Sequence, residues 1–160
     1  MSDFFAGLTA QGFFADLAAN RVLMAGFIAW TLAQLIKLPL NYALRREWDW
    51  SLLISAGGMP SSHSALVMGA STAVGLQEGW DSPLFAIAAI VAAVVIYDAT
   101  GVRRHAGDHA RVLNLMIDEL LTGHPLAEKE LKEVLGHTPR EVIGGILLGI
   151  LMAYLFVRVF

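Results

Sequence analysis

Residues 51–77 read SLLISAGGMPSSHSALVMGASTAVGLQ, 27 positions without a single Asp, Glu, Lys or Arg and with one imidazole, that of His63. A helix crosses the hydrocarbon core of a bilayer with about 20 predominantly apolar residues, so this stretch is long enough to enter one. Three shorter runs flank it. Residues 22–36, 82–97 and 142–157 are free of charge over 15, 16 and 16 positions. Each reaches full length only by admitting a charged residue near one end: Lys37, Asp98, and Glu141 or Arg158. Runs this rich in Ala, Gly and aliphatic side chains, with no polar face, leave nothing for water to wet, which argues against a soluble four-helix bundle. The expected fold is all-α, an integral membrane helical bundle of about four transmembrane helices, forming one domain over residues 1–160.

Composition agrees. Of 160 residues 56% are apolar and 16% charged, and the mean hydropathy is +0.60; an ordinary soluble domain carries about 25% charged residues. Disorder and a coiled coil are excluded, and the net charge of −3 speaks against a nucleic-acid partner. The absence of cysteine excludes disulfides, thiolate metal sites and a cysteine nucleophile. Phe4, Phe5, Leu8, Phe13, Phe14 and Leu17 recur at roughly helical spacing ahead of the first span, as in an interfacial amphipathic helix or the first turns of a longer first helix. A polar helical segment is expected between the third and fourth spans. Its apolar stripe of Leu113, Leu115, Met116, Leu120 and Leu121 ends at Gly123-His124-Pro125, and a short helix at about 127–135 follows.

Threading four crossings through these runs gathers nine of the eleven Lys and Arg residues on one side and leaves Arg21 and Arg158 on the other. The positive-inside rule makes the crowded side cytoplasmic, and the cell membrane is the expected location. That side holds Lys37, Arg45, Arg46, Arg103 and Arg104 beside Gly57, Gly58, Ser61 and Ser62. Guanidinium groups and backbone N–H donors at helix starts suit a phosphate group. His63 stands at the mouth of the second span, with Pro60 expected at the first helical position and Ser61 or Ser62 as the cap. His137 opens the last span four residues before Glu141, a spacing that lets the carboxylate hold Nδ1–H and free Nε2. His105, His109 and His124 read as surface histidines. His105 and His109 have helical ligand spacing without a third ligand beyond Asp108, so no metal site is expected.

Three blocks of the sequence resemble the divergent PAP2 family: Gly57-Gly58-Met59-Pro60-Ser61-Ser62-His63-Ser64-Ala65, Tyr97-Asp98-Ala99-Thr100-Gly101-Val102-Arg103-Arg104, and Leu131-Lys132-Glu133-Val134-Leu135-Gly136-His137-Thr138-Pro139-Arg140-Glu141-Val142. The likeness runs from Asn20 to the C-terminus. Of the three signatures of the wider phosphatase superfamily, Lys-x6-Arg-Pro is similar to Lys37 with Arg45 and Arg46, and Pro-Ser-Gly-His to Pro60-Ser61-Ser62-His63. The second half of Ser-Arg-x5-His-x3-Asp is similar to His137-x3-Glu141, with Leu131 at the Arg position. The alternative register of Arg103 with His109 places Leu113 where the carboxylate belongs.

The resemblance implies hydrolysis of a lipid or isoprenoid phosphate through a phosphohistidine, without metal or cofactor. His137 would be the nucleophile, Glu141 its orienting partner and His63 the general acid. Lys37, Arg45, Arg46, Gly57, Gly58, Ser61, Ser62, Asp98, Arg103 and Arg104 would bind the substrate. The alternatives are a lipid-phosphate binding or transport protein that keeps the anion site without turnover, and a structural membrane subunit without a ligand. A homodimer is expected only because four short spans bury little surface.

Overall fold

A computed structural model describes residues 10–54, 57–121 and 137–159, and every regular element among them is helical. In chain order these are α1 (Ala10–Ala19), α2 (Arg21–Arg45), a single 3-10 turn (Trp50–Leu53), α3 (Ser62–Glu78), α4 (Pro83–Thr100), α5 (Val102–Leu121) and α6 (Pro139–Val159). The first nine residues, the short helix expected at about 127–135 and the Gly123-His124-Pro125 stop lie outside the described residues.

Side-chain caps set the helix starts. Asn20 Oδ1 accepts from the Leu23 N–H at 3.1 Å and separates α1 from α2. Ser82 Oγ accepts from Phe85 N–H at 3.1 Å with Pro83 in the first turn of α4, where its missing N–H costs nothing. Ser61 caps α3, its Oγ accepting from Ser64 N–H at 3.3 Å. Pro60 therefore precedes the cap and does not occupy the first helical position, as the sequence alone suggested. At the other end of α2, Arg46 takes a left-handed conformation (φ 61°) and returns its N–H to Tyr42 O at 2.8 Å.

α3 is the axis of the bundle. It packs extensively on α2 and α6 and also on α4, while α2 and α6 pack on each other. Small residues let the backbones touch. A Cβ on Gly26 of α2 would stand 3.1 Å from Leu66 O, and one on Gly69 of α3 would stand 3.1 Å from Ala25 O. On α6, a Cβ at Gly149 would come within 2.6 Å of Ala65 O, and one at Gly145 would run into Ser61 O. Such close approach replaces the hydrophobic drive that lipid does not supply between helices. Ala25, Ala73 and Ala153 fill the core toward one end, and Ala29, Ala33 and Ala65 fill the middle.

Among the described residues, three helical stretches are long and apolar enough to cross a membrane: Arg21–Arg45, Pro83–Ile117 (α4 with its near-continuous extension into α5) and Pro139–Val159. Leu84, Ile87, Ile90, Val91 and Val94 of α4 are each more than half exposed, a surface that suits lipid and not water. The run at 51–77 yields only the 17-residue α3. Its role explains its composition: surrounded on three sides, α3 meets small neighbours and needs few large apolar side chains. Ser62, Ser64, Ser71 and Thr72 are buried along it. α1 packs on α2 and leaves Phe13 and Phe14 more than half exposed.

Candidate functional site

The starts of α3 and α6 meet at the end of the bundle away from Arg21 and Arg158. Ser61 N–H donates to Glu141 O at 2.8 Å, and His137 N–H donates to Ala99 O in the last turn of α4 at 2.9 Å. The ends of three helices are thereby tied together by two backbone bonds. The result brings the rings of His63 and His137 to 6.3 Å between centroids, tilted by 55°.

His137 is 3% exposed, and its Nδ1 lies 3.0 Å from Glu141 Oε2. A carboxylate only accepts, so Nδ1 carries a proton, and in the neutral ring Nε2 is left with the lone pair. That Nε2 is buried and has no hydrogen-bond partner among the described residues. Glu141 does two jobs. Its Oε2 also accepts from Thr138 N–H at 3.1 Å, and Glu141 N–H points to Thr138 Oγ1 at 3.4 Å. This is a reciprocal capping box that fixes the carboxylate before it meets the imidazole.

Lys37, on α2, is 1% exposed. Its charge is near enough to Glu141 for the two to attract, and its stem passes Gly58, whose φ is +90° and whose added Cβ would lie 3.6 Å from Lys37 Cδ. Gly57 and Gly58 are half-buried beside it, and Ser61 and Ser62 are buried. His63, Glu141 and Asp98 are half-buried, Asp98 in the last turn of α4 just before Ala99.

The arginines are distributed differently. Arg45 and Arg46 are exposed at the end of α2, and Arg46 lies over the Tyr42 ring at 6.0 Å. Eight residues of helix place Arg45 about 12 Å along the axis from Lys37. Arg103 and Arg104 fall in the first turn of α5, with side chains outside the description. His105 and His109 are exposed. An open cleft of ≈ 600 Å³ lies at the opposite end, lined by Asp16, Ala19, Asn20, Arg21, Val22, Gln77 and Glu78, and includes none of the residues singled out by motif.

Gln34 escaped the sequence reading. It is 8% exposed, donates Nε2–H to Leu53 O at 2.8 Å, and leaves Oε1 buried without a partner among the described residues. The available signal was an amide in an otherwise apolar run, three residues before Lys37, on the same helix face.

A protein of Bacillus subtilis (strain 168) named "Uncharacterized membrane protein YuiD" is 48% identical over 156 residues, spanning 88% of this chain and 99% of that protein. No solved structure matches. Residues 18–152 match the profile of the Divergent PAP2 family, and with the apolar helices, the paired histidines and the membrane-protein relative this makes the chain a membrane protein belonging to that family.

Proposed function

We propose that the protein hydrolyses a phosphomonoester or pyrophosphate of a lipid or isoprenoid at the membrane surface. The observation that carries this reading is the buried, unpartnered Nε2 of His137, with Nδ1 held by Glu141 and a second imidazole alongside. An imidazole in this state is an activated nucleophile. Nε2 attacks phosphorus as the bond to the lipid oxygen breaks, and His63 gives that oxygen its proton. Water then attacks the phosphohistidine, with His63 taking back a proton as phosphate leaves. A nucleophile about 3–3.5 Å from phosphorus and an acid about 2.7–3 Å from the leaving oxygen place the two nitrogens roughly 7 Å apart. Ring centroids at 6.3 Å are on that scale. Lys37, Ser61, Ser62 and the backbone at Gly57 and Gly58 hold the phosphoryl oxygens, with Asp98 and the arginines at positions 45, 46, 103 and 104 at the margin. The site faces the cytoplasm, and α3 serves as a fourth element within the bilayer.

The test is release of inorganic phosphate from a lipid phosphate by the purified protein in detergent with EDTA. His63→Ala should lower that rate by about 10²–10⁴ yet lower it less than about tenfold on p-nitrophenyl phosphate, whose leaving group needs no proton. Equal losses on both substrates would remove His63 from the acid role.

Lys37→Met separates function from stability. Burying a cation is costly even when it is paired, so the melting temperature should hold or rise while phosphate release falls about 10²–10³-fold. A lower melting temperature with full turnover would make Lys37 a structural residue. The second reading, an anion-binding protein without turnover, is favoured by Leu131 at the Arg position of the third signature. It predicts stabilisation by vanadate with no phosphate released.

A further inference from the structure

We infer that Gln34 reads a free hydroxyl next to the phosphoester, so that the preferred ligand is a lipid phosphomonoester bearing a hydroxyl group on the carbon beside the one that carries the phosphate. The inference rests on the phosphate site proposed above and adds its substrate class. Gln34 and Lys37 lie three residues apart on α2 and face the same stretch of chain: Gln34 Nε2–H is bonded to Leu53 O, and the Lys37 stem lies against Gly58. The Leu53 bond fixes the orientation of the amide, because turning it over would set two oxygens against each other. Oε1 is then committed to being an acceptor, buried and unpartnered among the described residues. Groups of this kind are costly to leave empty and are usually satisfied by a partner.

The partner must donate. A phosphate dianion has no proton to give, and neither has a prenyl chain, so the acceptor addresses another part of the ligand. Its place says which part. α2 is a membrane-crossing helix and the histidines lie toward its C-terminal end, so Gln34 sits on the hydrocarbon side of Lys37 by about 4.5 Å of helix rise. A lipid phosphomonoester held with its phosphate at Lys37 and its tail in the bilayer lays its alcohol carbons along that interval. A hydroxyl on the neighbouring carbon reaches Oε1; a plain alkyl or prenyl phosphate presents only C–H there.

The comparison needs two ligands that differ in this group alone: oleoyl lysophosphatidate and its deoxy analogue, 1-oleoyl-propane-1,3-diol 3-phosphate. Each is titrated against the full-length protein in detergent, with binding read from thermal stabilisation and turnover read from phosphate release. The wild type should bind and hydrolyse the hydroxylated lipid about tenfold better. Gln34→Met should bring the ratio close to one. Gln34→Glu, which when buried and protonated keeps one donor for Leu53 O and one carbonyl acceptor, should retain the preference. Equal binding of the two lipids by the wild type overturns the inference, whether or not any variant folds; so does an unchanged ratio in Gln34→Met. Preferential binding of the hydroxylated lipid without phosphate release would uphold the role of Gln34 and remove the hydrolytic reading.

Discussion

His137→Ala should abolish phosphate release, with a loss of at least about 10³-fold, while the purified protein keeps its helical content and its melting temperature within a few degrees. The expectation of an intact fold comes from the bonds that the substitution spares. His137 contributes its backbone N–H to Ala99 O, and Glu141 keeps Thr138 N–H as a partner. The imidazole leaves behind a small void and takes with it a buried nitrogen that had no partner among the described residues, two effects of opposite sign. A direct companion measurement is acid-labile, alkali-stable labelling of the protein from radiolabelled lipid phosphate, present in the wild type and absent in the variant. Undiminished turnover in His137→Ala would end the case for a phosphohistidine at this position.

The second large effect concerns the fold. Gly145→Val should destabilise the protein by on the order of 3 kcal/mol or prevent its folding, because the new side chain has to occupy the place of Ser61 O and Ser64 Cβ. One residue earlier the outcome reverses. A Cβ on Gly144 meets Met59 Cε at 3.4 Å and Pro60 Cβ at 3.5 Å, ordinary contacts, so Gly144→Ala should be neutral or gain up to about 1 kcal/mol from helix propensity. Thermal unfolding in detergent of both variants checks the pair. Similar melting temperatures for the two would show that α3 and α6 do not approach at Gly145 as closely as described.

Much of the arrangement could be read before any coordinates. The charge-free runs announced the helices, and the four-residue step from His137 to Glu141 announced their contact, although it forms across the start of α6, where the capping box turns the Glu141 carboxylate back toward His137, and not within a helical turn. Pro60-Ser61-Ser62-His63 and His137-x3-Glu141 were recognisable as separate motifs, and they lie side by side in the fold. Other features depend on tertiary context. A charge-free stretch at 51–77 looks like one more lipid-facing span, yet most of it serves as a loop and a 17-residue interior helix; hydropathy does not distinguish a segment covered by lipid from one covered by other helices. Arg45 and Arg46 resemble phosphate ligands by their spacing from Lys37, but the helix runs on unbroken, Pro39 included, and carries them outward. Gln34 gave no motif at all. Its interest comes from Leu53, 19 residues away, which takes one end of the amide and leaves the other unanswered.

The helices are fastened unevenly. α3 and α6 are joined at backbone distance from Ser61 to Gly149, a seam with no slack for parting. α4 is another matter: it leans on α3, scarcely touches α6, and turns most of its apolar face outward. It holds His137 through the Ala99 carbonyl. α4 is therefore the least firmly fastened wall beside the two histidines, and on the function proposed above an amphiphile moving in the plane of the bilayer would enter on the α4 side, its tail still in the oil.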